Sequence, residues 1–271
     1  MSENSVEYCH LGNSGLCVSV PIPWVQEESK ALPILKAAWD AGFNIFDTAN
    51  IYSNDASEII IGKFMITYKI RRDKLVIMAK CAGFASEDIN QHPYLNTSYG
   101  DHRDTVNQGS LSRKAIFSSV EASLARLGTT YIDVLHPETP PEETERALHD
   151  LGVMGKVRYI GASTMITWQF VQLNHIADMQ KDYSLLSREE ERQMISYCNA
   201  NGIGVISYYP LTSGDLARPL GTNTSRVAWI NETPFAPKFS DADMQIIQRI
   251  EEIAKRHGWS MTTVALNWIA I

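Results

Sequence analysis

The stretch FNIFDTANIYSN, residues 43–54, decides how this chain folds. Its first half, Phe43 to Ala49, is an apolar run of strand length that begins directly after Gly42. A second such run, LVIMAKC at 75–81, follows the charged turn RRDK. Three more lie downstream: YIDVLH at 131–136, VRYIGAS at 157–163 and IGVISYYP at 203–210. Strands this apolar suit a parallel sheet covered on both faces. Between them the apolar residues switch to helical spacing. Residues 28–41 place Leu32, Leu35, Ala38 and Trp39 on one face, 56–68 place Ile59, Ile60, Phe64 and Met65, and 112–127 place Ile116, Val120, Leu124 and Leu127. Gly42 and Gly128 stop the first and third of these. Further helices are predicted over 141–154, after Pro140-Pro141 and with an acidic first turn, over 187–200 behind a cap at Ser187, over 240–256 behind Ser240, and from about 260 onward. Strands alternating with helices argue for an α/β fold with parallel strands. The polar stretches 83–110 and 211–239 read as long loops.

Composition sets the outer limits. The chain has 271 residues, 44% hydrophobic and 20% charged, with a net charge of −7. That composition excludes a disordered tail or a disulfide-dense miniprotein. The acidic balance speaks against a nucleic-acid surface. Cys9, Cys17, Cys81 and Cys198 lie far apart, which fits reduced thiols and gives no zinc pattern. The start, MSENSVEYCHLGNSG, has neither the basic opening nor the apolar run of a signal peptide, and no stretch is long enough to span a membrane. A cytoplasmic protein is therefore expected, and the N-x-S/T triplets at Asn96, Asn223 and Asn231 read as chance.

The candidate chemistry gathers at strand ends. Asp47 closes one predicted strand, Tyr52 stands five residues on, and Lys80 lies at the end of the next. A free phenol is a poor proton donor at neutral pH, its pKa being about 10. A neighbouring ammonium favours the phenolate and makes the phenol a better acid, and a carboxylate beside a buried lysine keeps that lysine charged. Asp47 holding Lys80, and Lys80 tuning Tyr52, would suit protonation of a carbonyl oxygen while hydride arrives from a cofactor. Taken singly, each residue reads more readily as surface charge or packing; only the spacing of the three together brings the functional reading level with it. His92, His102, His149, His175 and His257 read as surface or packing residues. Trp168 and Trp268 are expected in the core, and Glu189 to Glu191 on a solvated helix face.

FNIFDTANIYSN followed by DKLVIMAKC resembles the active-site run of the aldo-keto reductases. GKVRYIGAS, MQKDYSLLSREEER and SYYPL resemble further landmarks of that family in the same order. The resemblance covers about residues 10 to 271 and is nearest to the fungal aryl-alcohol-dehydrogenase-like branch. It implies a (β/α)8 TIM-type barrel in one domain over 1–271, and use of NADP(H) on a small carbonyl or alcohol without a Rossmann fingerprint, metal, nucleic acid or membrane. Tyr52 would be the general acid, Lys80 its pKa partner and Asp47 the carboxylate holding the lysine. Ser163 and Gln180 would bond the nicotinamide carboxamide, Tyr208 would stack on its ring, and Leu211, Ser213 and Gly214 would wrap the pyrophosphate. The family's fourth catalytic residue is a histidine that orients and polarises the carbonyl. His136 stands near its place, but the segment LHPETPP is shortened. It is either that histidine moved out of register or a residue left behind by the shortening.

The sequence departs from the family in three other places. After LGNSGLCVSV the chain runs through PIPWV into the first helix, so the first barrel strand is expected to be missing. Between NHIAD and MQ only a stub of the sixth strand remains. The sequence ends at VALNWIAI, before the eighth strand. The expected barrel is therefore incomplete, with its first, sixth and eighth strands shortened or missing, and C-terminally truncated. Two functions follow as expectations. One is a reductase of aldehydes or ketones, aromatic or polyketide-derived, in fungal secondary metabolism. The other is an impaired or non-catalytic remnant that binds cofactor or partner without turnover. Oligomeric state is not legible.

Overall fold

The computed structural model describes residues 8–10, 17–19, 28–53, 55–81, 83, 109, 111–137, 142–165, 167–171, 176–224, 227 and 236–270. Two three-residue strands, β1 (Tyr8–His10) and β2 (Cys17–Ser19), pair antiparallel. Helix α1 (Glu28–Asp40) leads into β3 (Ile45–Asp47), and α2 (Ala56–Thr67) into β4 (Val76–Cys81). Then follow α3 (Arg113–Leu127), β5 (Ile132–Pro137), α4 (Glu142–Val153), β6 (Val157–Ser163), α5 (Thr167–Val171), β7 (Ile176–Asp182), α6 (Met194–Asn201) and β8 (Gly204–Tyr208). Helices α7 (Asp241–His257) and α8 (Met261–Ile269) come last. Strands β3 to β8 form one six-stranded sheet in chain order. The first three pairings are parallel, with Asp47 opposite Met78, Lys80 opposite His136 and Val134 opposite Tyr159. This is an incomplete (β/α)8 barrel.

Every strand read from the sequence is present within two or three residues of its expected ends. The sixth barrel position, where the sequence keeps only a stub of the family's strand, is occupied by β7, with Ile176, Ala177 and Asp178 supplying its start. Among the described residues no strand stands in the first or eighth position of the sheet. The loop predicted at 83–110 lies outside the described residues except at 83 and 109, and with it His92, His102 and Asn96. His175, Asn231 and much of 225–235 lie outside them as well.

The chain divides into two compact units, Met1–Met179 with Tyr197–Val205, and Gln180–Ser196 with Ile206–Ile271. In the first, strand alternation sorts the side chains. Phe46, Ile77, Ala79, Cys81 and Leu135 point into the layer beneath the helices. There they meet Ala31 and Leu35 of α1, Ile60 and Phe64 of α2, Ile116, Val120 and Leu124 of α3, and Leu148 and Leu151 of α4. Every residue of β4 is buried, as a strand covered on both faces requires. Met78, Lys80, Val134 and His136 share the opposite face by the period of two. Ser112 caps α3 by accepting from the Ala115 N–H, and Gly128 ends it at φ 64°. Gly62 lets α2 and α3 touch, since a Cβ there would lie 2.8 Å from the Arg126 carbonyl oxygen.

In the second unit, Leu216, Ile247, Ile250, Ala254, Met261 and Ala265 form the core. Ser240 and Asp243 form a reciprocal capping box at the start of α7. Three expectations need correcting. The helix predicted over 187–200 is a 3-10 turn, Glu189–Arg192, followed by α6, because Gln193 has non-helical φ −143° and ψ −53°. Ser187 closes a tight turn with Ser184 instead of capping a helix. Glu190 and Glu191 also do more than face solvent, pairing with Lys181 and Arg188. Trp168, expected in the core, is 61% exposed, because Phe170, which is buried, lies about 200° around α5 from it. Trp268 packs against Tyr183 with ring centroids 5.3 Å apart. Among the described residues no helix is long and apolar enough to cross a membrane.

Candidate active site

The sheet ends bring three of the expected residues together within the first unit. Asp47 is the last residue of β3, and the following Thr48 N–H donates to the Met78 carbonyl at 2.8 Å. Lys80 lies two residues beyond Met78 and so on the same face. Its Nζ donates to both Asp47 carboxylate oxygens, at 2.6 and 2.7 Å, and to the Thr48 carbonyl at 3.2 Å. The same Nζ stands 4.9 Å from the Tyr52 ring centroid. Tyr52 is placed by its loop. Its N–H donates to the Ala49 carbonyl, Asp55 N–H donates to Asn50, and the Asn50 side chain donates to the Gly83 carbonyl at 2.7 Å. Ser53 and Asp55 both sit at positive φ, 51° and 71°, which turns the chain sharply after Tyr52. Thr48 and Ser57 hydroxyls bond at 2.7 Å across the base of the loop.

Charge follows from this geometry. Burial pulls the Lys80 pKa down more strongly than any other single cause acts on it. The charge and hydrogen bonds of Asp47 and Tyr52 together outweigh that penalty, and the ammonium is held above the ordinary lysine pKa. A second charged group anchors the loop from below. Arg126 Nε donates to Glu58 at 2.6 Å, its Nη2 donates to Ser123, and Asp55 lies 3.3 Å away. Burial still raises the Glu58 pKa, although Arg126 works against it. Neither Arg126 nor Glu58 was singled out in the sequence. The signal available was an acid two residues inside α2 and a lone basic residue near the end of α3.

His136 is placed opposite Lys80 in the register of β4 and β5. Its Nε2 lies 2.7 Å from Oδ2 of Asp178 on β7. Asp178 was missed because nothing before the sheet is assembled shows which strand it joins. Ser163, at the end of β6, is buried, with its Oγ 3.3 Å from that of Thr164.

The remaining expected residues belong to the second unit. Gln180 is buried near the end of β7, and Tyr208 is half-buried at the end of β8. After β8 the backbone turns through Ser213 at φ 56° and Gly214 at φ 101°. Leu211 anchors this turn, its carbonyl accepting from the N–H groups of Gly214 at 2.8 Å and Leu216 at 3.2 Å. Arg218 folds back over it, with Nε donating to the Gly214 carbonyl at 2.8 Å, and any Cβ at 214 would run into its guanidinium. The Ser213 hydroxyl is buried and without a hydrogen-bond partner among the described residues. A glycine-shaped cradle with a cation and an unspent hydroxyl fits an anionic group such as a phosphate. Arg218 was also missed, although a basic residue four positions after Ser-Gly was there to be read.

Comparison with known proteins gives the family. The model of the aldo/keto reductase family matches residues 18–270. The chain is similar to the aldo-keto reductase dtxS3 of Metarhizium robertsii, 46% identical over 302 aligned positions that cover 99% of this chain and 82% of the relative. Those positions outnumber the 271 residues here, so the relative carries segments that this chain lacks. It is also similar to the versiconal hemiacetal acetate reductase of Aspergillus parasiticus, 39% identical over 297 positions, 97% of this chain and 85% of the relative. An aryl-alcohol-dehydrogenase-type protein of Schizosaccharomyces pombe is 42% identical over 267 positions, 90% of this chain and 81% of the relative. The chain therefore belongs to the aldo/keto reductase family, NAD(P)H-dependent oxidoreductases that act on small-molecule carbonyls or alcohols.

Proposed function

We propose that this chain reduces an aldehyde or ketone with NADPH, or oxidises the corresponding alcohol, with Tyr52 as the general acid. The observation that carries this reading is Lys80, held by both oxygens of Asp47 and poised over the Tyr52 ring. Within the second unit, the Ser213–Gly214 cradle under Arg218 fits the pyrophosphate of a nicotinamide dinucleotide. Leu211, Ser213 and Gly214 would take its pyrophosphate, Ser163 and Gln180 its carboxamide, and Tyr208 its ring. When bound, the reduced nicotinamide supplies hydride to the carbonyl carbon. Tyr52 gives its phenolic proton to the carbonyl oxygen, so the product is the alcohol. Lys80 stabilises the phenolate left behind, and Asp47 keeps Lys80 protonated as it does so. The resemblance also assigns His136 to orient and polarise the carbonyl, yet its ring here is committed to Asp178. Relatives named for a versiconal derivative and for aryl alcohols support an aromatic or polyketide-derived carbonyl as substrate, in fungal secondary metabolism.

Replacing Tyr52 by Phe removes the proton donor and keeps the ring. General acid catalysis contributes about 10²–10⁴-fold, so turnover with NADPH and an aromatic aldehyde should fall by about that much. NADPH binding, read by fluorescence, should persist. Unchanged turnover would sink the mechanism. A second reading is favoured by the sheet itself, which shows six of the family's eight strands among the described residues. On that reading the chain binds NADPH and turns nothing over, and binding without carbonyl reduction in the parent protein would select it.

A further inference from the structure

His136 on β5 and Asp178 on β7 reach toward each other across β6. Neither side chain has any exposed surface, and Nε2 meets Oδ2 at 2.7 Å. The strand between them offers Gly161 at that level. A Cβ there would lie 2.5 Å from both His136 Nε2 and Asp178 Oδ1, so the pair fills the space that any other residue would need. The two atoms left over, His136 Nδ1 and Asp178 Oδ1, are buried without a hydrogen-bond partner among the described residues.

A carbonyl oxygen is an acceptor, so polarising it takes a ring N–H. A neutral imidazole has one N–H, and an ionised carboxylate can only accept. With a neutral ring against an ionised carboxylate, the hydrogen bond to Asp178 takes the proton on Nε2 and spends it there. What remains is the Nδ1 lone pair, enclosed, which cannot donate to a carbonyl.

We infer that His136 does not touch the substrate in this chain, and that Asp178 is the residue that withholds it. The two form a closed strut across Gly161. They act as positioning residues: His136 stands opposite Lys80 in the sheet, and Ser163 lies two residues beyond Gly161 on β6. The inference rests on the proposed reductase reading and narrows it. Protonation falls to Tyr52 and Lys80 alone, with no histidine sharing the carbonyl oxygen.

The test uses the full chain labelled with ¹⁵N, and long-range ¹H–¹⁵N correlations of its histidine rings. His136 should show the Nε2–H form, and its Nδ1 signal should stay in place when NADP⁺ and benzaldehyde are added. An Nδ1–H form, or an Nδ1 signal that moves with benzaldehyde, would overturn the inference. Kinetics with NADPH and benzaldehyde supply the second arm. His136→Gln and Asp178→Asn should lower kcat by similar factors, each under about tenfold, and should be non-additive in the double variant. A substrate-contacting histidine predicts instead a loss of about a hundredfold or more for His136→Gln alone, with thermal stability and NADPH affinity kept. If His136→Gln does not fold, the double variant, which keeps an amide bridge, is judged by the same limits. If the parent protein shows no turnover, the reductase reading fails, and the ring assignment by itself decides whether the strut exists.

Discussion

Lys80 shows how a single buried charge ties stability to chemistry. Its burial is opposed by Asp47 and Tyr52, which leave the folded pKa above that of an unfolded lysine. The sign of the linkage follows. The pair's stabilisation is fully present below the unfolded lysine pKa, about 10.4, and is lost as pH rises through the higher folded value. The melting temperature should therefore fall above that pH, and Lys80→Met should flatten this alkaline limb. The same substitution should lower turnover at neutral pH, because Tyr52 loses the cation that stabilises its phenolate. A variant melting with the same alkaline slope as the parent would show that Lys80 is not the group responsible. Asp47→Asn keeps the shape of the carboxylate and removes its charge, so it should depress turnover while leaving Tyr52 in place.

At the level of elements, the clasp between α2 and α3 fixes the loop that carries Tyr52. Breaking a buried ion pair by removing one partner costs about 3–5 kcal/mol when the other stays charged. Arg126→Ala leaves Glu58 in that position, and burial then pushes its pKa up with nothing from Arg126 to oppose it. Glu58 will escape by taking a proton, so the gap in stability between parent and variant should narrow as pH is lowered from 7 toward 5. Urea unfolding at the two pH values measures it, and an equal gap at both would exclude Glu58 as the source. On β6, Gly161→Ala has no room beside His136 and Asp178 and should destabilise by about 1–3 kcal/mol, the range for overpacked sites. The cap of α7 is a milder test. Ser240→Ala removes the bond to the Asp243 N–H and should cost about 1 kcal/mol.

For the whole molecule the question is whether the six-stranded sheet of the described residues holds together. A closed barrel has no edges, whereas a row of strands ends in two strands with a free side. Among the described residues those end strands are β3 and β8. A ligand that binds only the folded state stabilises it by about 2.7 kcal/mol at a hundredfold excess over its Kd. Thermal unfolding followed by circular dichroism, with and without NADPH, should therefore show a cooperative transition that moves upward with cofactor. A transition that ignores NADPH would count against the reductase reading, and the absence of any cooperative transition would mean that the six-stranded sheet does not hold together.

The run from Phe43 to Tyr52 and the run from Leu75 to Cys81 were legible because local rules govern them. Apolar periodicity sets strand against helix, glycine and serine mark the ends, and a motif keeps Asp47, Tyr52 and Lys80 in order along the chain. Other features depended on neighbours distant in sequence. Whether Ile176–Asp182 forms a strand depends on its neighbours in the sheet, and α6 begins only at Met194 because Gln193 leaves the helical backbone angles. Trp168 lies outside the core because Phe170 takes the inward face of α5. The partner of His136 lies 42 residues away on β7, and the glycine that admits the pair lies on the strand between. Sequence alone determined which residue types reach the sheet ends, because that follows from alternation along each strand. The tertiary structure alone decided which of them meet, because pairing depends on the register between strands and on the space that Gly161 leaves open.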